Sequence, residues 1–152
     1  MKQLTIAAAT IAFLFTGNAL AQIGAKREGD PRVKALLDKA VLDYLGDQDG
    51  DYRLINRFDN DRSQVVFIIC KTTNLGNMEI REIFSVDYLS DGTMPSSVSK
   101  NLLSENRIVE LDAWELNRFS GKEAGVFRAQ IAADTDAKTL RMALEAVSET
   151  AD

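Results

Sequence analysis

DYRLINRFDNDRSQVVFIICKTTNLGNMEIREIFSV, Asp51 to Val86, holds three strand-like runs separated by two short polar breaks. In the first, Tyr52, Leu54 and Phe58 alternate with Arg53 and Arg57, the period of a half-buried strand. The second, QVVFIIC, is apolar on both faces and reads as a central strand. In the third, Met78, Ile80, Phe84 and Val86 share one face, and Glu79 and Arg81 lie on the other. The breaks DNDRS and NLGN are rich in turn formers and short enough for hairpins, so the three strands are expected to run antiparallel.

The flanks complete the pattern. Upstream, Asp30 and Pro31 form a helix start, and Val33, Leu36, Leu37, Ala40, Val41 and Tyr44 trace one apolar stripe that should fade near Gly46. Downstream, Pro95 opens a helix carrying Val98, Leu102 and Leu103. LDAWELNRF and AGVFRAQIA, divided by SGKE, predict a second hairpin. A last helix, capped by Asp134 or Thr135, aligns Leu140, Ala143, Leu144 and Val147. The expected fold is α+β, an antiparallel sheet with helices packed on one face, in the order α-β-β-β-α-β-β-α. The other face should carry Arg53, Arg57, Arg81, Glu79 and Arg128, with Arg53, Arg57 and Arg81 as the candidate partner surface.

GDQDGDYRL, Gly46 to Leu54, places Asp47, Asp49 and Asp51 at alternate positions around Gly50. An EF-hand loop needs glycine at position 6 and glutamate at position 12. Counting from Asp47 puts Tyr52 and Phe58 there, and counting from Leu45 removes the first carboxylate. Asp-Gly favours a hairpin corner. A weak calcium site on Asp47, Asp49 and Asp51, with Asp59 and Asp61 nearby, is the alternative.

The N-terminus combines Lys2, a 12-residue apolar run from Leu4 to Phe15, and small residues at Ala19 and Ala21. That order predicts a signal peptide over residues 1–21, cleaved after Ala21. The run is shorter than the roughly 20 residues of a spanning helix. Residues 22–29 read as a flexible leader and 30–152 as one domain. A periplasmic or secreted location follows. Removing Lys2 from 18 basic residues, set against 23 acidic ones, takes the net charge from −5 to −6. Such a balance disfavours nucleic acid and anionic membranes as partners.

The chain contains no histidine and one cysteine, Cys70. A Ser-His-Asp triad, a His-paired thiol and a tetrahedral zinc site therefore lack their usual groups. Cys70, inside an apolar run, reads as buried filler. Ser97 and Lys100 spell S-x-x-K without the companion S-D-N and K-T-G motifs, and read as a solvated helix face. Glu79 and Glu82, three apart on a strand, point to opposite faces. Trp114 reads as core rather than as a sugar platform. No catalytic residue, cofactor or phosphate-binding loop is assigned.

DQDGDYRLINRFDNDRSQVVFIICKTTNLGNMEIREIFSVDY, followed by the helix MPSSVSKNLLSENR, resembles YbjN-domain proteins, described as bacterial sensory transduction regulators. The resemblance spans Pro31 to the last helix, and rests on element order and on the acid–glycine–acid turn before Tyr52. It implies a fold similar to type III secretion chaperones and carries no catalytic residue. The better-known members are cytoplasmic, whereas this chain is expected to be exported. The function expected is a non-enzymatic, protein-binding or chaperone-like module whose partner is another protein or a second copy. The alternatives are a small carboxylate-using enzyme of the periplasm and a calcium-responsive protein.

Overall fold

Asp30 begins the first element by accepting the amide of Arg32 at 2.8 Å, and Pro31 takes the first helical position of α1 (Pro31–Lys39). A computed structural model describes residues 27–59, 61–109 and 112–152. The expected signal peptide and its cleavage after Ala21 lie outside the described residues. Arg27–Gly29, the described end of the expected leader, rests against the loop at Gly50, and the Arg27 amide donates to the Gln48 carbonyl at 3.1 Å.

Helix α1 buries Val33 and Leu37 and ends sooner than its apolar stripe. The Leu42 amide reaches back to the Leu37 carbonyl at 3.2 Å and the Val41 amide to Asp38 at 3.1 Å. That pair of bonds is the Schellman closure, whose turning residue is usually glycine. Here it is Val41, at φ +53° and 88% exposed. A β-branched residue is strained there, because its Cβ crowds the backbone. Val41→Gly is expected to raise unfolding stability by about 0.5–1 kcal/mol, measured by urea denaturation, since relieved strain outweighs the added chain entropy. Tyr44 falls outside the helix and stacks edge-on against Tyr52, 5.2 Å between centroids.

Strands β1 (Leu45–Gly46), β2 (Tyr52–Arg57), β3 (Ser63–Ile68), β4 (Thr73–Leu75) and β5 (Met78–Leu89) follow. After α2 (Ser96–Glu105) come β6 (Asp112–Phe119), β7 (Lys122–Ala132) and α3 (Ala137–Thr150). The strands form one antiparallel sheet in the order β1-β2-β3-β5-β7-β6, with β4 paired to β5 across the turn at Gly76. The α+β class and the main element order are as expected, with the two short strands β1 and β4 added. The expected hairpins at DNDRS and SGKE are present, but the NLGN turn joins β4 to β5 rather than the central strand to β5, because β3 ends at Ile68 and the Cys70 amide turns to the Asp51 carboxylate. The β6–β7 turn is Ser120–Gly121, with both residues at positive φ, the geometry that matches strand twist.

All three helices lie on one face. Val33 and Leu37 of α1 and Leu140, Leu144 and Val147 of α3 share a core with Leu54, Val66, Ile68, Ile83 and Phe127. The cap of α3 is Asp136, which accepts the Thr139 amide at 2.7 Å, rather than Asp134 or Thr135. Helix α2 has no fully buried residue and sets Leu102 over Gly125. It is fastened to the edge strand at Trp114. Glu105 accepts the indole N–H at 2.9 Å, and the Asn106 side chain bonds both backbone groups of Trp114, at 2.6 and 3.1 Å. Trp114 is core, as expected, and the Asn106 side chain occupies its outward-facing backbone groups, which would otherwise invite strand pairing.

Candidate functional site: the open face of the sheet

β5 presents the opposite faces from those its pattern predicts. Arg81, Ile83 and Ser85 point to the helix layer and are buried, while Ile80, Phe84 and Val86 lie on the opposite face, which carries none of the described helices. Arg81 is therefore not a partner residue. Its guanidinium donates to Asp30 at 2.6 Å and to the carbonyls of Ile69 and Cys70 at 2.9 and 3.1 Å. Asp30 also binds Arg32, which donates to Glu79 from Nη1 at 2.7 Å and from Nη2, shared with Asp30, at 2.8 Å. The Arg32 and Arg81 guanidinia hold the Asp30 carboxyl well below the usual carboxylate range. Arg32, helped by Thr72, lowers Glu79 to about 2. A buried arginine is affordable here because the helix cap supplies its counter-charge.

The acidic turn is a hairpin corner. Leu45 pairs with Arg53 and Gly46 with Tyr52, and Gly50 takes φ +89°. One oxygen of Asp47 accepts the amides of Asp49 and Asp51, both at 2.9 Å. Asp51 accepts the Cys70 amide at 2.6 Å, and burial pushes its carboxyl up. Asp47 and Asp51 thus serve the backbone, and among the described residues no group of three or more potential ligands is arranged to hold a metal ion. Asp59 and Asp61 are exposed in the β2–β3 turn.

Cys70 follows β3 and is half-buried, against the expectation of full burial, and desolvation raises its thiol. Ser97 and Lys100 are exposed on α2. Glu79 and Glu82 lie on opposite faces, Glu79 bound by Arg32 and Glu82 by Arg128 at 2.5 Å. No pair of carboxylates is brought together for acid–base work by these two residues.

Arg53 and Arg57 do lie exposed on the open face, as expected. The register across the sheet sets Arg53 beside Phe67, Phe67 beside Phe84, and Phe84 beside Arg128. Phe67 and Phe84 are stacked, 5.0 Å between centroids and 14° apart in plane. The Arg128 guanidinium lies 5.1 Å from the Phe84 ring centroid and is held between Glu82 and Glu115. The neighbouring row is Ile55, Val65, Val86, Val126 and Glu115. An aromatic and aliphatic stripe, with Val126 fully buried within it, thus runs across strands that none of the described helices covers. A groove of about 570 Å³, lined by Met78, Ile80, Glu115 and Arg128 among others, borders it on the β6 side. A second, of about 400 Å³, lies beside Arg53, Ile55 and Arg57.

Residue alternation alone missed Phe67, Phe84 and the Arg128 cluster. The available signal was that β3 and β5 carry large apolar residues on both faces, Phe67 with Ile68 and Ile83 with Phe84. One apolar face suffices to meet a helix layer; the second needs its own explanation. Among the described residues, the fold and this surface define an α+β sandwich of three helices on one sheet, whose other, partly apolar face no described helix covers. Comparison with family models, curated proteins and solved structures finds no match for the chain.

Proposed function

We propose that this protein is an exported, non-enzymatic protein-binding module of the YbjN and secretion-chaperone type, acting in the periplasm or outside the cell. The observation that carries the reading is the stacked Phe67–Phe84 pair on a sheet face that no helix among the described residues covers. A contiguous apolar patch rimmed by charge is the surface pattern of a protein contact. Arg53 and Arg57 on one flank, and Arg128 between its two glutamates on the other, provide the polar rim. The ion pairs also favour binding over chemistry, since a carboxylate clamped by arginine is a poor proton donor near neutral pH.

A photo-crosslinking amino acid placed at Phe67 or Ile55 tests this in cells. It is expected to give protein adducts, whereas the same probe at exposed Lys138, on the helix layer, gives none. Equal labelling from both faces, or none from the sheet face, overturns the reading. Recovery of the mature protein in a periplasmic or culture fraction, with Gln22 as its first residue, tests the export component.

A further inference from the structure

We infer that α2 is a releasable strap: it lifts as one unit from a sheet that stays folded, and so uncovers the edge of β6 to an extended segment of another polypeptide. The device lies on the helix side of the sheet and is independent of the open face. No residue of α2 is fully buried, and among the described residues no ion pair ties it to the sheet. Its apolar grip is Leu102 against Gly125, with Val98 half-buried one turn earlier, while Leu103 is 55% exposed. Helices α1 and α3, by contrast, set Val33, Leu37, Leu140, Leu144 and Val147 into the core. What fastens α2 is polar and sits at its two ends. The Met94 amide donates to the Glu123 carboxylate at 2.7 Å, and Glu105 and Asn106 hold Trp114. Just before Met94 the chain is joined to β7 by backbone bonds, Ser90 to Glu123 at 2.8 Å and Glu123 to Gly92 at 3.1 Å. Release beyond Gly92 therefore leaves the ladder of the sheet in place. An element with so little buried apolar surface opens at a lower free energy than the core strands.

The occupant follows from what the strap does to the edge. β6 ends the strand order, and alternate residues of such a strand turn both backbone groups outward. Trp114 is one of them. Its amide donates to the Asn106 side-chain oxygen at 2.6 Å, and its carbonyl accepts the Asn106 side-chain N–H at 3.1 Å. A side-chain amide that gives one acceptor and one donor to the same residue makes the pair of bonds that a neighbouring strand would make. Asn106 thus stands in for a strand. Leu116, two residues on, turns its backbone groups the same way. At Arg118 the outward amide is taken by the adjoining Asn117 side chain at 2.7 Å, a bond that stays when α2 leaves. Release of α2 therefore frees the stretch from Trp114 to Leu116. An extended chain joins an edge of this kind through backbone bonds, whatever its own side chains.

Amide hydrogen exchange on the folded protein gives the test. Ser99 to Leu103 of α2 are expected to exchange together, at least about a hundredfold faster than the slowest amides of β5 and β7. Asn106→Ala unfastens the C-terminal end. It is expected to speed Ser99 and Lys100, two turns away, by at least about tenfold, the loss of two hydrogen bonds. Slow amides retained in β5 and β7 show that the variant is folded. Acrylamide quenching of Trp114, the only tryptophan in the chain, should rise with it. The edge of a second copy then serves as the probe strand. In sedimentation equilibrium Asn106→Ala is expected to self-associate at least about tenfold more strongly than the wild type. Adding Leu116→Pro, which removes an outward N–H and leaves the β7 ladder intact, should restore wild-type behaviour. Exchange of α2 as slow as that of β5, or acceleration confined to its last turn, overturns the strap. Association no stronger than that of the wild type, or association that survives Leu116→Pro, overturns the guarded edge. Crosslinking from Phe67 reads the open face separately, so the two readings fail independently.

Discussion

Replacing Asp30 by asparagine is expected to destabilise the protein by about 3–5 kcal/mol, the usual cost of stranding one partner of a buried ion pair. The side chain of Arg81 is 3% exposed and that of Asp30 11%. Asparagine keeps the size and a cap acceptor, yet leaves the guanidinium bonded to two carbonyls and to no carboxylate, with Asp51 and Glu79 acting on it only from a distance. Urea denaturation measures the loss. A cost below about 1 kcal/mol, the level of an exposed pair, would show that water reaches Arg81.

The same substitution should change the response to acid. Asp30 and Glu79 are held below their ordinary values, 3.8 and 4.5, so the folded protein keeps them ionised where the unfolded chain begins to take up protons. The stability they contribute is complete above about pH 5 and is lost as pH falls through about 2 for Glu79 and lower for Asp30. Asp51, Asp87 and Asp112 are pushed up by burial and act with the opposite sign, losing stability as pH rises past 3.8. The difference between wild type and Asp30→Asn therefore isolates Asp30. It should shrink steadily between pH 5 and pH 2, read as the gap between the two urea midpoints.

Phe127→Ala is expected to cost about 3–5 kcal/mol. Phe127 is 1% exposed and packs against Trp114, with ring centroids 5.0 Å apart. It sits on the helix-facing side of β7, in register with Ser85 and Trp114. The sheet backbone cannot close the void, so lost contacts add to the lost transfer of the ring from water. Phe127→Leu, which refills most of the space, should cost clearly less. Equal losses for the two would mean that the site relaxes around the smaller side chain. Neither substitution touches the open face, so crosslinking from Phe67 should be unchanged in the folded variants.

Strand β5 shows where residue pattern stops being sufficient. Its charged positions, Glu79 and Arg81, face the helices, and its apolar positions Ile80, Phe84 and Val86 face outward. Alternation says which residues share a face but not which face is covered. The deciding fact is a long-range one: Arg81 finds its counter-ion in a helix cap 51 residues earlier. On β2, Arg53 and Arg57 form no ion pair among the described residues, and there the simple reading of charge as outward is right. The end of α1 is a similar case. The apolar stripe runs through Val41 and Tyr44, but the chain turns at Val41, so Leu42 rejoins the core and Tyr44 meets Tyr52.

What the sequence by itself determined is the α+β class, the hairpins at DNDRS and SGKE, the start of α1 at Asp30–Pro31 and the corner at Asp47–Asp51. Each is a matter of local spacing, of turn residues, or of a side chain bonding a backbone group within four positions. Only the tertiary structure decided that Arg81 is buried, that Phe67 and Phe84 stack on an uncovered face, and that Arg128 joins two glutamates from neighbouring strands. Those outcomes depend on which strands become neighbours and on where each buried charge finds its partner. Neither is written in the order of residues along any one strand.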